Sequence, residues 1–169
     1  QRLIPPVWQE KGSWECPLGT DGYGRGYLSR TIYGAQVSLL IGLTVMLISG
    51  VIGTAMGVVA GYFGGRVDMI ITFIITTRLA MPAILVALAV VALIGSSMTV
   101  VIWVLGLLIW DRFAVVMRST TQQIRNLDYI AAAEAAGCST LRILLTEILP
   151  NVFNALIVVA TLEIAHAVL

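Results

Sequence analysis

The chain has 169 residues, 59% of them hydrophobic and 11% charged, with a net charge of +1. Its mean hydropathy of +0.96 lies outside the range of soluble globular domains, and so small a charge gives no basic field for nucleic acid. The length admits one domain and four or five membrane crossings at about 20 apolar residues each.

Residues 1–36 are mixed in character, with Pro5, Pro6 and Pro17 and several glycines from Gly12 to Gly34. They read as an external segment with an interfacial helix rather than as a signal peptide. The chain begins at Gln1 rather than Met and stops at Leu169 inside an apolar run, so the true N-terminus is expected to be missing and the chain to be a fragment or partly ordered. Cys16 and Cys138 are expected on opposite sides of the bilayer, which prevents a disulfide.

Residues 37–169 form the expected membrane domain. Four apolar segments, at about 37–63, 69–94, 99–117 and 148–169, each reach the length that crosses some 30 Å of hydrocarbon. A backbone in lipid must satisfy its own hydrogen bonds, so these are predicted helices and the fold class is all-α. The first carries Ser49, Gly53, Gly57 and Gly61, with Gly65 continuing the four-residue spacing. On a helix that spacing is one ridge with almost no side chain, suited to close approach by another helix.

In the second segment Met81-Pro82 predicts a kink, because proline lacks the amide donor and clashes with the preceding turn. Arg78 lies one turn earlier, where a bare charge is costly. It reads either as a residue of a translocation path, with Pro82, or as a structural pair. In the last segment Glu163 and His166 share a helix face. One Glu-x-x-His copy is too little for a helical-bundle metal site, so no metal is expected and a polar pair lining a path is the better reading.

Arg66, Arg112, Arg118, Arg125 and Arg142 are assigned to one side of the bilayer, against Arg25 and Arg30 near the helix ends on the other. The excess places the 112–147 loop, with its coupling part 118–147, in the cytoplasm and residues 1–36 outside. Within it, Tyr129 to Ala136 is alanine-rich and helix-forming, and Gly137 can stop the helix in a left-handed turn. Ser139 can cap a second helix whose Leu141, Leu144, Leu145 and Ile148 repeat at helical spacing. Tyr129 and Ile130 among alanines predict a shallow, knobbed face for a groove on a second protein.

No phosphate-binding loop, His-Glu-x-x-His, Cys-x-x-Cys or G-x-S-x-G occurs, so the chain is read as a non-catalytic subunit and any ATP chemistry must come from a partner.

Several stretches carry a family resemblance. They are Leu18-Gly19-Thr20-Asp21-Gly22-Tyr23-Gly24-Arg25, Ile32-Tyr33-Gly34-Ala35, Ala60-Gly61-Tyr62-Phe63-Gly64-Gly65 with Val67-Asp68, Pro82, and Ile148-Leu149-Pro150-Asn151. Together with the 126–147 loop they make the chain resemble the inner-membrane permease subunits of ABC-type importers, in the dipeptide/oligopeptide/nickel group, over nearly its whole length. The family's loop motif runs E-A-A, three residues, G, then about eleven residues and L-P. Counting back from Gly137, with Leu149-Pro150 closing the motif, its first three positions fall on Ala131, Ala132 and Ala133, so the family's glutamate is absent and Glu134 is the candidate substitute. Gly26 replaces another customary acidic residue. Phe73 and Thr76 stand where a charged pair is common.

The resemblance implies a type I importer permease fold in the bacterial or archaeal inner membrane, with a cytoplasmic coupling helix and the family's first and last helices missing. It also implies a sister permease, two ATPase subunits carrying ATP and Mg²⁺, an external substrate-binding protein and no cofactor on this chain. Alternating access for peptides or similar small solutes would follow. A secondary transporter, needing inverted repeats and discontinuous helices, and a structural or assembly subunit are the alternatives.

Overall fold

The computed structural model describes residues 3–95 and 97–168, the last three by backbone alone. Two compact units divide the chain, Gln1–Ile41 and Gly42–Leu169, with the boundary inside the first helix.

The N-terminal unit is a set of turns organised by Asp21. Its Oδ1 accepts the backbone N–H groups of Tyr23 and Arg25, each at 2.9 Å, and its Oδ2 accepts from the Arg25 and Arg30 side chains. The Arg25 amide is the largest of the influences that hold the Asp21 carboxyl down at about 2, below its ordinary 3.8. Amide donors favour the ionised form, which is why the Asp21 carboxyl is held low here. A helix follows directly: α1 (Tyr27–Phe63) begins at Tyr27 rather than at residue 37. Polar Ser29, Arg30 and Gln36 lie within this helix and do not stop it.

The larger unit is helical throughout among its described residues. The second apolar segment is two helices, α2 (Gly65–Leu79) and α3 (Ala83–Ile94), bent by 77°. The expected kink at Pro82 is thus a full break, with Pro82 extended at the start of α3. The third segment comprises α4 (Met98–Leu108) and α5 (Trp110–Arg125), which together make one candidate span, Met98–Arg125. This corrects the expected end at residue 117. The run Arg118 to Gln123 looks like loop in sequence yet stays helical, because its inward members pack on α1 and α2.

The loop helix α6 (Asp128–Ala135) comes next. The last span starts earlier than residue 148: α7 (Thr140–Arg142), a π-helical turn (Ile143–Ile148) and α8 (Leu149–Val168) run on continuously, and Thr140–Ala165 is long and apolar enough to cross a membrane. Pro150 has no N–H for the carbonyl one turn back, and a widened turn before it accommodates the missing bond. The core lies where these elements converge, around Val58, Tyr62, Met117, Ile124, Ile130, Ile143, Ile148 and Val152.

Candidate functional site

The site is built outward from the contact between α1 and α5. Gly53, Gly57 and Gly61 are buried on one face of α1. A Cβ added at Gly53 would come within 2.3 Å of the Trp110 carbonyl oxygen, one at Gly57 within 2.6 Å of that of Ala114, and one at Gly61 within 2.7 Å of that of Arg118. In all three cases the obstacle includes backbone, so the two helices touch main chain to main chain over two turns. Phe113, Ala114 and Met117, each fully buried, fill the spaces between.

Gly65 is not part of this ridge. It opens α2 at φ +51° after Gly64 at +63°, with nothing near its missing side chain. Its expected packing role is corrected, because α1 has ended at Phe63 and the chain is turning.

Below the ridge, an ion pair ties α2 to α5. Asp68 accepts from both Nε and Nη2 of Arg118, the latter at 2.6 Å, and also from Gln122 Nε2 and Thr72 Oγ1. Such forked arginine–carboxylate pairs fix geometry as well as adding energy. Arg125, at the end of α5, lies 5.6 Å from the ring centre of Tyr62.

Tyr62 connects this framework to the loop. Its hydroxyl donates to Glu134 Oε1 at 3.1 Å. The carboxylate expected to stand in for the motif's glutamate toward a partner is therefore engaged with the chain's own first helix. Ile130 is also turned inward, 1% exposed, against the core. This corrects its expected place on the outward face. What remains exposed on α6 and its two caps is Leu127, Asp128, Tyr129, Ala131, Ala132, Glu134, Ala135 and Ala136, while Ala133 packs toward the core.

The end of α6 is tightly specified. Gly137 adopts φ +78°, its N–H bonds the Glu134 carbonyl at 3.0 Å, and the Cys138 N–H bonds the Ala133 carbonyl at 3.1 Å. This pair of bonds is a Schellman stop, which needs a left-handed residue at the glycine position. Ser139 sits at the start of α7, but its side chain makes no capping bond. Leu149 and Pro150 are exposed, and Asn151 Nδ2 donates to Tyr129 Oη at 3.3 Å, joining α8 to α6.

Comparison with known proteins bears on this arrangement. Residues 53–169 match the family described as the inner membrane component of binding-protein-dependent transport systems. The chain belongs to that family. The matched stretch starts at the first ridge glycine and contains the whole loop. Relatives include a dipeptide transport system permease protein, DppC, of Haemophilus influenzae, 35% identical over 99% of this chain and 57% of the relative. A di/tripeptide transport system permease protein of Pseudomonas aeruginosa is 37% identical over 99% and 55%. A Bacillus subtilis DppC is 38% identical over 89% and 47%. This chain spans about half the length of these relatives.

The chain is accordingly a multi-pass protein of the bacterial inner membrane, and ionisable groups inside its spans need partners. Arg78 has them: its Nη1 donates to the Met81 carbonyl and its Nη2 to that of Leu108. Those carbonyls lie at the breaks between α2 and α3 and between α4 and α5, where the regular helical donor is missing. Arg78 thus fills two helix breaks at once. Pro82, exposed, marks the first of them. Glu163 is 5% exposed and accepts from Arg112 Nη1 at 3.0 Å, while its Oε2 is buried and has no donor among the described residues. The side chain of His166 lies outside the described residues. Arg112 was counted above as a cytoplasmic loop residue, and that is corrected: it lies midway along the Met98–Arg125 span. The missed signal was the apolar run on both sides of it.

Proposed function

We propose that this chain is the membrane-spanning permease of an ATP-driven importer for peptides or similar small solutes, driven through α6 by ATPase subunits on the cytoplasmic side. The observation that carries the reading is the construction of α6. One face is anchored by Ile130 and by the Tyr62–Glu134 hydrogen bond, its end is stopped at Gly137, and its opposite face exposes Ala131, Ala132 and Ala135 beside Asp128. A solvated connector has no need of an anchored back and a stopped end, whereas a helix that receives force must not yield. The glycine contact then extends that rigidity into α1 and α5.

The relatives' names, dipeptide and di/tripeptide transport system permeases, support peptides as the solute class. A sister permease, two ATPases and an external binding protein complete the proposed assembly. The broken α2–α3 pair would suit a secondary transporter, whose half-helix ends bind ions. Here the break is occupied by Arg78, a cation of the chain itself. Reconstitution with the remaining components decides the matter. Uptake of dialanine that requires ATP and the binding protein is the expected result, and uptake driven by an ion gradient without ATP would overturn it.

A further inference from the structure

Among the spans, α5 has an unusual outer face. Its exposed positions Arg112, Val115, Ser119 and Gln123, with the C-cap Asn126, recur at steps of three and four, so they form one stripe down the helix, and four of the five are polar. The corresponding stripe on α1 is Leu43, Leu47, Val51, Ala55 and Val59, all apolar. The open groove of 660 Å³ between α1 and α8 is lined almost wholly by apolar groups such as Met46, Leu47, Leu145, Phe153 and Ile157. It offers a peptide almost nothing to bond. Lipid can cover the α1 stripe but not the α5 stripe, whose upper end is a charged group at mid-depth: Arg112 is about 20 Å along the helix from its cytoplasmic end, at 1.5 Å per residue. The α5 stripe therefore belongs on water or protein.

Arg112 is also only partly used. Its side chain is 52% exposed and gives Nη1 to Glu163 at 3.0 Å. Among the described residues, its Nε and Nη2 donate to nothing. Those two groups are a parallel pair of donors, the edge of a guanidinium that accepts a carboxylate in two hydrogen bonds. Glu163, held by burial, fixes the plane of the guanidinium and balances its charge. A fully uncompensated cation would retain an anion, and a transport path needs binding weak enough to release.

Resting on the permease reading above, we propose that Arg112 is a solute-binding residue on the wall of the translocation path and takes the free carboxylate of the peptide on its Nε–Nη2 edge, with Glu163 as its positioning residue. Val115, Ser119 and Gln123 continue the wall toward the cytoplasm.

The test uses the complete transporter in liposomes, with phenylglyoxal as an arginine-selective reagent and peptide mapping as the readout. Dialanine should slow modification of Arg112 by about tenfold at saturation, as near-full occupancy requires. Dialanine amide should not, and exposed Arg142 should react equally under both conditions. In the same preparation Arg112→Gln should lower dialanine uptake by about tenfold, with Arg112→Lys recovering part of it because it keeps the charge without the fork. Equal protection by acid and amide, or none by either, overturns the proposal. So does an Arg112 that fails to react at all, which would mean that protein covers it. These outcomes are independent of the broader reading, which falls only if the transporter shows no ATP-dependent peptide uptake.

Discussion

The contact between α1 and α5 and the seating of α6 both depend on glycine and small residues, but for opposite reasons. At Gly57 there is no room: an added Cβ would lie 2.6 Å from the Ala114 carbonyl oxygen and 2.8 Å from Met117 Cβ, in ordinary helical backbone. At Gly137 there is open space, with nothing within 4 Å, but the backbone is left-handed at φ +78°. The first region is a rigid joint defined by packing. The second is an attachment defined by backbone conformation, one buried isoleucine and the hydrogen bonds Tyr62–Glu134 and Asn151–Tyr129. A transporter that passes motion from a loop into a bundle needs both, since the joint must not shear and the attachment must hold α6 at a fixed angle.

Substitutions can break the contrast in order of size. The largest effect is expected at the joint. Gly57→Leu forces apart two main chains, and the overpacking cost of about 1–3 kcal/mol is a lower figure where the obstacle is backbone. The variant should fail to yield folded protein in detergent, as seen by size-exclusion chromatography. Next comes Ile130→Ala, which empties a site at the centre of the core under α6. It should cost about 2–5 kcal/mol and raise proteolysis within 126–147 while leaving the α1–α5 contact protected.

A sharper separation comes from one replacement made at both glycines. Asparagine tolerates the left-handed region, so Gly137→Asn should be nearly neutral and Gly137→Ala should cost about 1 kcal/mol. At Gly57 asparagine should be worse than alanine, because only volume matters there. If the order is the same at both sites, the distinction is wrong.

The smallest effect concerns the Tyr62–Glu134 bond. Tyr62→Phe and Glu134→Gln should each cost about 1 kcal/mol or less. The double variant should lose no more than the larger single loss, and thermal unfolding of all three against the parent measures the coupling. Additive losses would mean that the two groups act separately.

Much of this could be read from the residues, and the exceptions share a cause. Run length and glycine spacing identified the spans and the α1 ridge because those signals are local. The position of the loop helix and its stop at Gly137 were legible for the same reason. The kink at Pro82 was legible too, but neither its depth nor the break at Ile109 was, since the carbonyls freed there are satisfied by Arg78, distant in sequence from Leu108. The extension of α5 through Arg118 and Gln122 depends on Asp68, on another helix. Ile130 looked outward because one branched residue among alanines has no periodicity to orient it. Glu134 looked like an anchor for a partner because nothing in its spacing revealed Tyr62, seventy-two positions earlier.

The central claim is that the exposed alanine face of α6 is where the ATPase subunit docks. Ala132→Trp adds a large ring on that face without touching the buried side, so the permease itself should remain folded. Affinity purification of the complex from membranes is then the direct measurement. The account predicts that Ala132→Trp loses the ATPase subunits while retaining the sister permease; full retention of the ATPases, with normal ATP-dependent uptake, would contradict it.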